Sequence, residues 1–157
     1  MALSPVVGDS FPDFALETAA GDTLRKSDLA GRKAVLFFFP KAMTPGCTSE
    51  AREFSAAQAD FEAAGATVVG ISRDPAARLA AFAAKRALTV ALASDAPDPA
   101  LSEALGIWTE KQLYGRRFMG LLRTTYLLDP DGRIAAVWPK VKVAGHVAQV
   151  LAAVQSQ

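Results

Sequence analysis

Strand-like apolar runs that alternate with helix-period segments predict an α/β fold with a central mixed sheet, flanked by about four helices and opened by an N-terminal β-hairpin. Three observations carry this expectation. Ala34 to Phe39 is apolar at every position, as a strand covered on both faces would be, and Thr67 to Ser72 reads as a second buried strand. Between them Ala51, Phe54, Phe61 and Ala64 recur at helical spacing, with Arg52, Glu53, Asp60 and Glu62 on the other positions. Near each end a turn rich in glycine and aspartate separates two short strand-like segments.

In chain order, Phe14-Ala15-Leu16 and Thr23-Leu24-Arg25 flank Gly21-Asp22, which predicts the first hairpin. The strand from Ala34 stops at Pro40, which has no N–H to donate to a ladder. A helix is expected from Cys47 to about Gly65, with Glu50 and Glu53 in its early turns, where acids suit the helix dipole. After the strand at 67–72, Asp74-Pro75 reads as a cap and first residue of a helix that runs to about Lys85. Ala91 to Ser94 is expected as a short strand, with a helix starting near Asp98-Pro99. Thr124 to Leu128 and Arg133 to Trp138 are strands joined by the turn Asp129-Pro130-Asp131-Gly132. A helix from Gly145 to about Val154 closes the chain.

Composition narrows the function. A chain of 157 residues, 51% hydrophobic and 21% charged, fits one globular domain spanning 1–157. A net charge of +1 gives no bulk attraction to nucleic acid or membrane. The longest strongly apolar run is far shorter than the ~20 residues a membrane span needs. Met1 to Phe14 has neither the basic nor the apolar region of a secretory signal, so a cytoplasmic location is expected. One cysteine and one histidine cannot form an intramolecular disulfide or a zinc site of the usual ligand count, and no metal or cofactor is expected.

Cys47 follows a strand end and the turn Lys41-Ala42-Met43-Thr44-Pro45-Gly46, at the mouth of a helix. Unpaired N–H groups and the positive end of the helix dipole gather there, and both favour a thiolate, the nucleophilic form. A cysteine hydrolase would want a histidine base, but the only histidine, His146, reads as a helix-terminal or packing residue. A disulfide oxidoreductase would want a second cysteine at position 50, which is Glu50. Attack on a peroxide needs neither partner, only a site that aligns the O–O bond and stabilises the leaving oxygen.

The run Pro40-x-x-x-Thr44-x-x-Cys47, continued as Thr48-x-Glu50-Ala51, resembles the active-site motif of the peroxiredoxins. Phe38-Phe39-Pro40-Lys41, Arg123 through Asp129, and Trp138 through Lys142-Val143-x-Gly145-His146 resemble landmarks of the bacterioferritin comigratory protein, or Q-type, group. The resemblance implies a thioredoxin-like fold and four roles. Cys47 would be the peroxidatic thiolate, Thr44 would hydrogen-bond the peroxide, and Pro40 would shield the thiolate. Arg123 would hold the thiolate and polarise the peroxide. The implied activity is reduction of hydrogen peroxide and small organic hydroperoxides, as an antioxidant oxidoreductase in cell redox homeostasis.

The chain departs from the group in one respect. Where many members carry a resolving cysteine, five positions on, it has Arg52, and Ala80 to Ala84 holds no thiol either. A sulfenic acid at Cys47 would be reduced from outside, by a small thiol, a thioredoxin-like or glutaredoxin-like protein, or a second copy through a Cys47–Cys47 bridge. The chain is expected to be a monomer or a Cys47-linked dimer. A redox sensor, in which oxidised Cys47 switches a partner interaction without turnover, is the alternative. Arg52 reads as a solvated helix residue and Lys41 as a surface one. Glu50 reads equally as a cation's partner or a helix-start acid. Between Glu110 and Arg123, Lys111, Arg116 and Arg117 form either a docking patch for an acidic reductant or a solvated loop. Tyr114, Phe118 and Met119 read as an apolar collar over the site or as ordinary loop packing, and packing is expected.

Overall fold

A computed structural model describes residues 4–157 of the chain; Met1 to Leu3, part of the stretch read above as lacking a secretory signal, lie outside them. The opening hairpin forms as β1 (Ala15–Thr18) and β2 (Thr23–Arg25), followed by a short 3-10 turn over Lys26–Leu29. Next come β3 (Lys33–Phe38), α1 (Pro45–Ala63), β4 (Ala66–Ser72), α2 (Ala76–Arg86), β5 (Ala91–Ser94) and α3 (Ala100–Ala104). A second hairpin, β6 (Trp108–Leu113) and β7 (Arg116–Leu121), precedes β8 (Thr124–Leu128), β9 (Ile134–Trp138) and α4 (His146–Gln155).

Seven strands form one sheet in the order β2-β1-β5-β4-β3-β8-β9. β3, β4 and β5 run parallel, while β1 and β8 lie antiparallel to β5 and β3. The sheet is mixed because α1 and α2 cross over between the parallel neighbours β3, β4 and β5, whereas tight turns join β1 to β2 and β8 to β9. β3 lies next to the sheet's far edge pair and is buried along nearly its whole length, as its apolar run requires.

Alternation along β3 divides the core into two layers. Val35, Phe37 and Phe39 face one way, into a cluster with Phe54 and Phe61 of α1, Leu79 and Phe82 of α2, and Val150 of α4. Ala34, Leu36 and Phe38 face the other way, against Phe11, Leu101, Leu105, Tyr126 and Leu128. Phe37 stacks on Phe54 with centroids 4.4 Å apart, which fixes α1 across the sheet. Gly70 of β4 makes room for that pair, because a Cβ there would lie 2.6 Å from Phe37 Cζ and 2.8 Å from Leu92 Cδ2.

Three expectations are corrected. Asp74 does not cap α2: Pro75 is the cap residue, without a side-chain bond, and the Asp74 carboxylate turns elsewhere. The segment around Glu110 to Arg123 is a β-hairpin, closed by Tyr114 at φ 52° and Gly115 at φ 76°, the positive angles of a two-residue turn. Tyr114, Phe118 and Met119 do not pack; they are exposed, Tyr114 at 95%. The hairpin stands apart from the seven-stranded sheet, so neither of its faces shows a buried stripe.

Candidate functional site

α1 begins two residues earlier than expected, with Thr44 as cap residue, Pro45 in its first turn and Cys47 as the third helical residue. Proline suits that start because its missing N–H would have had no helical partner. The N–H of Thr48 makes the first helical bond, to Thr44 O at 2.9 Å. The N–H groups of Gly46 and Cys47 precede it and point out of the helix start, where an anion is favoured. Cys47 itself is 1% exposed and packs in the layer that contains Phe39, Ala42 and Phe54.

Arg123 sits just before β8. Its Nη2 donates to Cys47 Sγ at 3.2 Å, and its Nη1 donates to Glu50 Oε1 at 2.7 Å. Residues 76 and 73 positions apart in sequence thus meet because β8 pairs with β3, whose end leads into α1. Gly46 permits this approach: a Cβ there would sit 3.3 Å from Arg123 Nη2. The guanidinium fork spans the thiol and the carboxylate at once, which a lysine could not do with fixed geometry.

Burial dominates the electrostatics. Glu50 is 0% exposed, and among the described residues its Oε2 has no hydrogen-bond partner. Desolvation therefore raises its carboxyl from 4.5 to about 7, even though Arg123 pulls it down. Burial also works against the charge on Arg123, but Cys47 and Glu50 together outweigh it and strengthen the guanidinium's hold on its proton. His146 is buried, with its ring between Phe54 and Trp138, and its Nε2 lies 2.8 Å from Thr125 Oγ1. Desolvation first, then Arg123, lowers it from 6.5 to about 4, so it is neutral at physiological pH. It is a packing histidine and makes no bond to Cys47.

Thr44 occupies the cap position of α1 but does not cap it. Its hydroxyl donates instead to Lys41 O, at 2.8 Å. Pro40 is half-buried after β3, and Arg52 is exposed on α1. Glu50, for which two readings stood open, is the partner of Arg123. Lys41 is exposed, and it is its backbone carbonyl that enters the site. In the sequence Lys111 is marked only as part of a basic segment. Its Nζ donates to Leu121 O at 2.7 Å, and burial and then the Arg123 charge lower its affinity for a proton, with Cys47 acting the other way. No local sequence signal marks this, because only the hairpin brings β6, which carries Lys111, beside Arg123.

A family model described as the AhpC/TSA family matches residues 7–137, and the chain belongs to that family. Within it, the chain is 39% identical over 145 residues to Peroxiredoxin Bcp of Bacillus subtilis, covering 92% of each chain. A structure of peroxiredoxin Q from Xanthomonas campestris superposes with a TM-score of 0.88 at 38% identity, covering 99% of this chain and 98% of the other. A structure of the bacterioferritin comigratory protein of the same organism, described in terms of its alkyl peroxide reduction activity, superposes with a TM-score of 0.87 at 37% identity, covering 99% and 98%. The fold is thioredoxin-like, and among the described residues no helix is long and apolar enough to cross a membrane.

Proposed function

We propose that the chain is a thiol-dependent peroxidase acting on hydrogen peroxide and small organic hydroperoxides, with Cys47 as its only redox centre. One observation carries this reading: Arg123, braced by Glu50, donates to Cys47 Sγ at the N-terminus of α1. The alkyl peroxide reduction ascribed to the Xanthomonas relative supports the choice of substrate.

The Cys47 thiolate attacks the nearer peroxide oxygen, the O–O bond breaks, and an S–O bond forms. Cys47 becomes a sulfenic acid, and the leaving oxygen takes a proton to depart as water or an alcohol. Arg123 and the free N–H of Cys47 stabilise charge as it develops on the reacting oxygens. The Thr44 hydroxyl has its proton committed to Lys41 O, so its lone pair accepts the O–H of the bound peroxide. Pro40 closes the site toward water. An external thiol then attacks the sulfenic sulfur and releases water, and a second thiol frees Cys47 from the mixed disulfide. The reductant is a thioredoxin-like or glutaredoxin-like protein or a small thiol, and the reduced protein works as a cytoplasmic monomer. Because Cys47 is buried, a bridge between two copies requires the first turn of α1 to open.

A redox sensor is the second reading, favoured by a buried thiol in a chain with no other cysteine, which slows re-reduction. Equimolar hydrogen peroxide followed by mass spectrometry and a panel of thiol reductants separates the two. A fast gain of one oxygen and repeated turnover establish the peroxidase. Arg123→Ala is expected to slow oxidation by about 100- to 1000-fold, and Cys47→Ser to abolish it. Oxidation no faster than that of a free thiol, indifferent to Arg123, would overturn the reading; rapid oxidation without turnover identifies the sensor.

A further inference from the structure

We propose that Asp74 is a positioning residue for the peroxide site, acting through the Lys41–Ala42 peptide to aim the Thr44 hydroxyl. The inference rests on the peroxidase reading above. Asp74 lies between β4 and α2, in a place where an aspartate would ordinarily cap the following helix. Its side chain instead crosses to the turn between β3 and α1, where Oδ2 accepts the N–H of Ala42 at 2.8 Å. The carbonyl on the other side of that same peptide, Lys41 O, accepts the Thr44 hydroxyl at 2.8 Å. One peptide plane is therefore gripped at both ends, by a buried carboxylate and by the residue that would receive the peroxide.

The grip is built, not incidental. Ser72 Oγ donates to Asp74 Oδ2 at 2.7 Å, and Asp74 N–H donates back to Ser72 Oγ at 3.1 Å. Ser94 Oγ donates to the Asp74 carbonyl at 2.6 Å, which ties the residue to the end of β5. Arg78 Nε pairs with Oδ1 at 3.2 Å, and Arg78 Nη2 reaches Ala42 O at 3.5 Å. The carboxylate thus holds the N–H of Ala42 while its own ion-pair partner lies against the Ala42 carbonyl. A buried carboxylate is tolerable only with such partners. Met43, next in the turn, sits at φ 72°, a conformation that side-chain-bearing residues rarely keep without outside restraint.

The chemistry follows from the direction of each bond. Donation from Ala42 to a negative oxygen polarises the peptide and leaves more electron density on Lys41 O. That carbonyl becomes a better acceptor for the Thr44 O–H, and the Thr44 oxygen in turn a better acceptor for the peroxide proton. Asp74 thereby sets both where the Thr44 lone pair points and how strongly it accepts. It touches neither Cys47 nor Arg123, so it leaves the intrinsic reactivity of the thiolate alone.

The test is a double-mutant cycle between Asp74→Ala and Thr44→Val, with two rates measured on each protein by quenched-flow mass spectrometry. One is oxidation of Cys47 by hydrogen peroxide; the other is its alkylation by iodoacetamide, which needs a thiolate but no hydroxyl acceptor. Asp74→Ala is expected to slow oxidation about tenfold in the wild-type background and less than about twofold in the Thr44→Val background. Alkylation should change less than about twofold in all four proteins. An undiminished loss in the Thr44→Val background, or equal losses in both reactions, overturns the proposal. Arg78→Ala, at a half-exposed position, is measured alongside and decides the matter if Asp74→Ala does not fold: about threefold slower oxidation, absent in the Thr44→Val background, is expected. A wild-type protein that oxidises no faster than a free thiol removes the peroxidase reading, and this inference falls with it.

Discussion

Replacing Glu50 by glutamine isolates the ionisable group at the centre of the site. Glutamine keeps a carbonyl oxygen for Arg123 Nη1 and nearly the same volume, but it cannot ionise. In the folded protein the Glu50 carboxyl holds its proton up to about pH 7, whereas in the unfolded chain it releases it near 4.5. Between those values the folded state binds more protons than the unfolded one, so stability falls as pH rises through that window. An elevation from 4.5 to about 7 corresponds to about 3 kcal/mol in full, of which about 2 kcal/mol falls between pH 5 and pH 8. Urea unfolding of both proteins at pH 5 and pH 8 measures it. The Glu50→Gln protein should gain about 2 kcal/mol relative to wild type on going from pH 5 to pH 8. His146 titrates in both proteins and cancels from the comparison. A stability difference that does not change with pH would refute the argument that burial outweighs Arg123 at this carboxyl.

The histidine gives the opposite slope. Its folded value of about 4 lies below the ordinary 6.5, so its contribution to stability is present above pH 6.5 and is lost as pH falls toward 4, by up to about 3 kcal/mol; His146→Gln should remove that loss, which urea unfolding at pH 4.5 and 7 would show. Gly70→Ala should destabilise the protein by about 1–3 kcal/mol through overpacking against Phe37 and Leu92, read as a lowered urea midpoint with an unchanged m-value.

Much of this architecture is legible in the sequence. The apolar runs that became β3 and β4 need two covered faces, and the helix-period residues Phe54 and Phe61 supply one of them. The β6–β7 hairpin leaves little trace in the sequence because Thr109, Glu110, Lys111 and Gln112 are polar on both faces and its turn is Tyr114-Gly115 rather than the stronger Asn-Gly signal. Asp74 departs from its sequence signal for a different reason. Aspartate before proline and a helical run is a good cap signal, and only a contact across 32 residues draws the carboxylate away. At the site, Cys47 and Thr44 follow from local sequence, whereas the bond from Arg123 to Glu50 depends on strand pairing that no spacing reveals. The orphaned Glu50 Oε2 and the peptide shared by Asp74 and Thr44 exist only in three dimensions.

The near-complete enclosure of Cys47 has a kinetic consequence under the proposed cycle. A peroxide is small enough to reach the sulfur through a narrow approach, but a protein thiol is not. Oxidation and reduction therefore answer to different properties of the molecule: one to the chemistry of the closed site, the other to how often the first turn of α1 frays. At high concentrations of a bulky reductant the recovery of the thiol levels off at that opening rate. From there the persistence of the oxidised form is a measure of how firmly Thr44, Pro45 and Gly46 start the helix, and not of how strong a reductant the cell supplies.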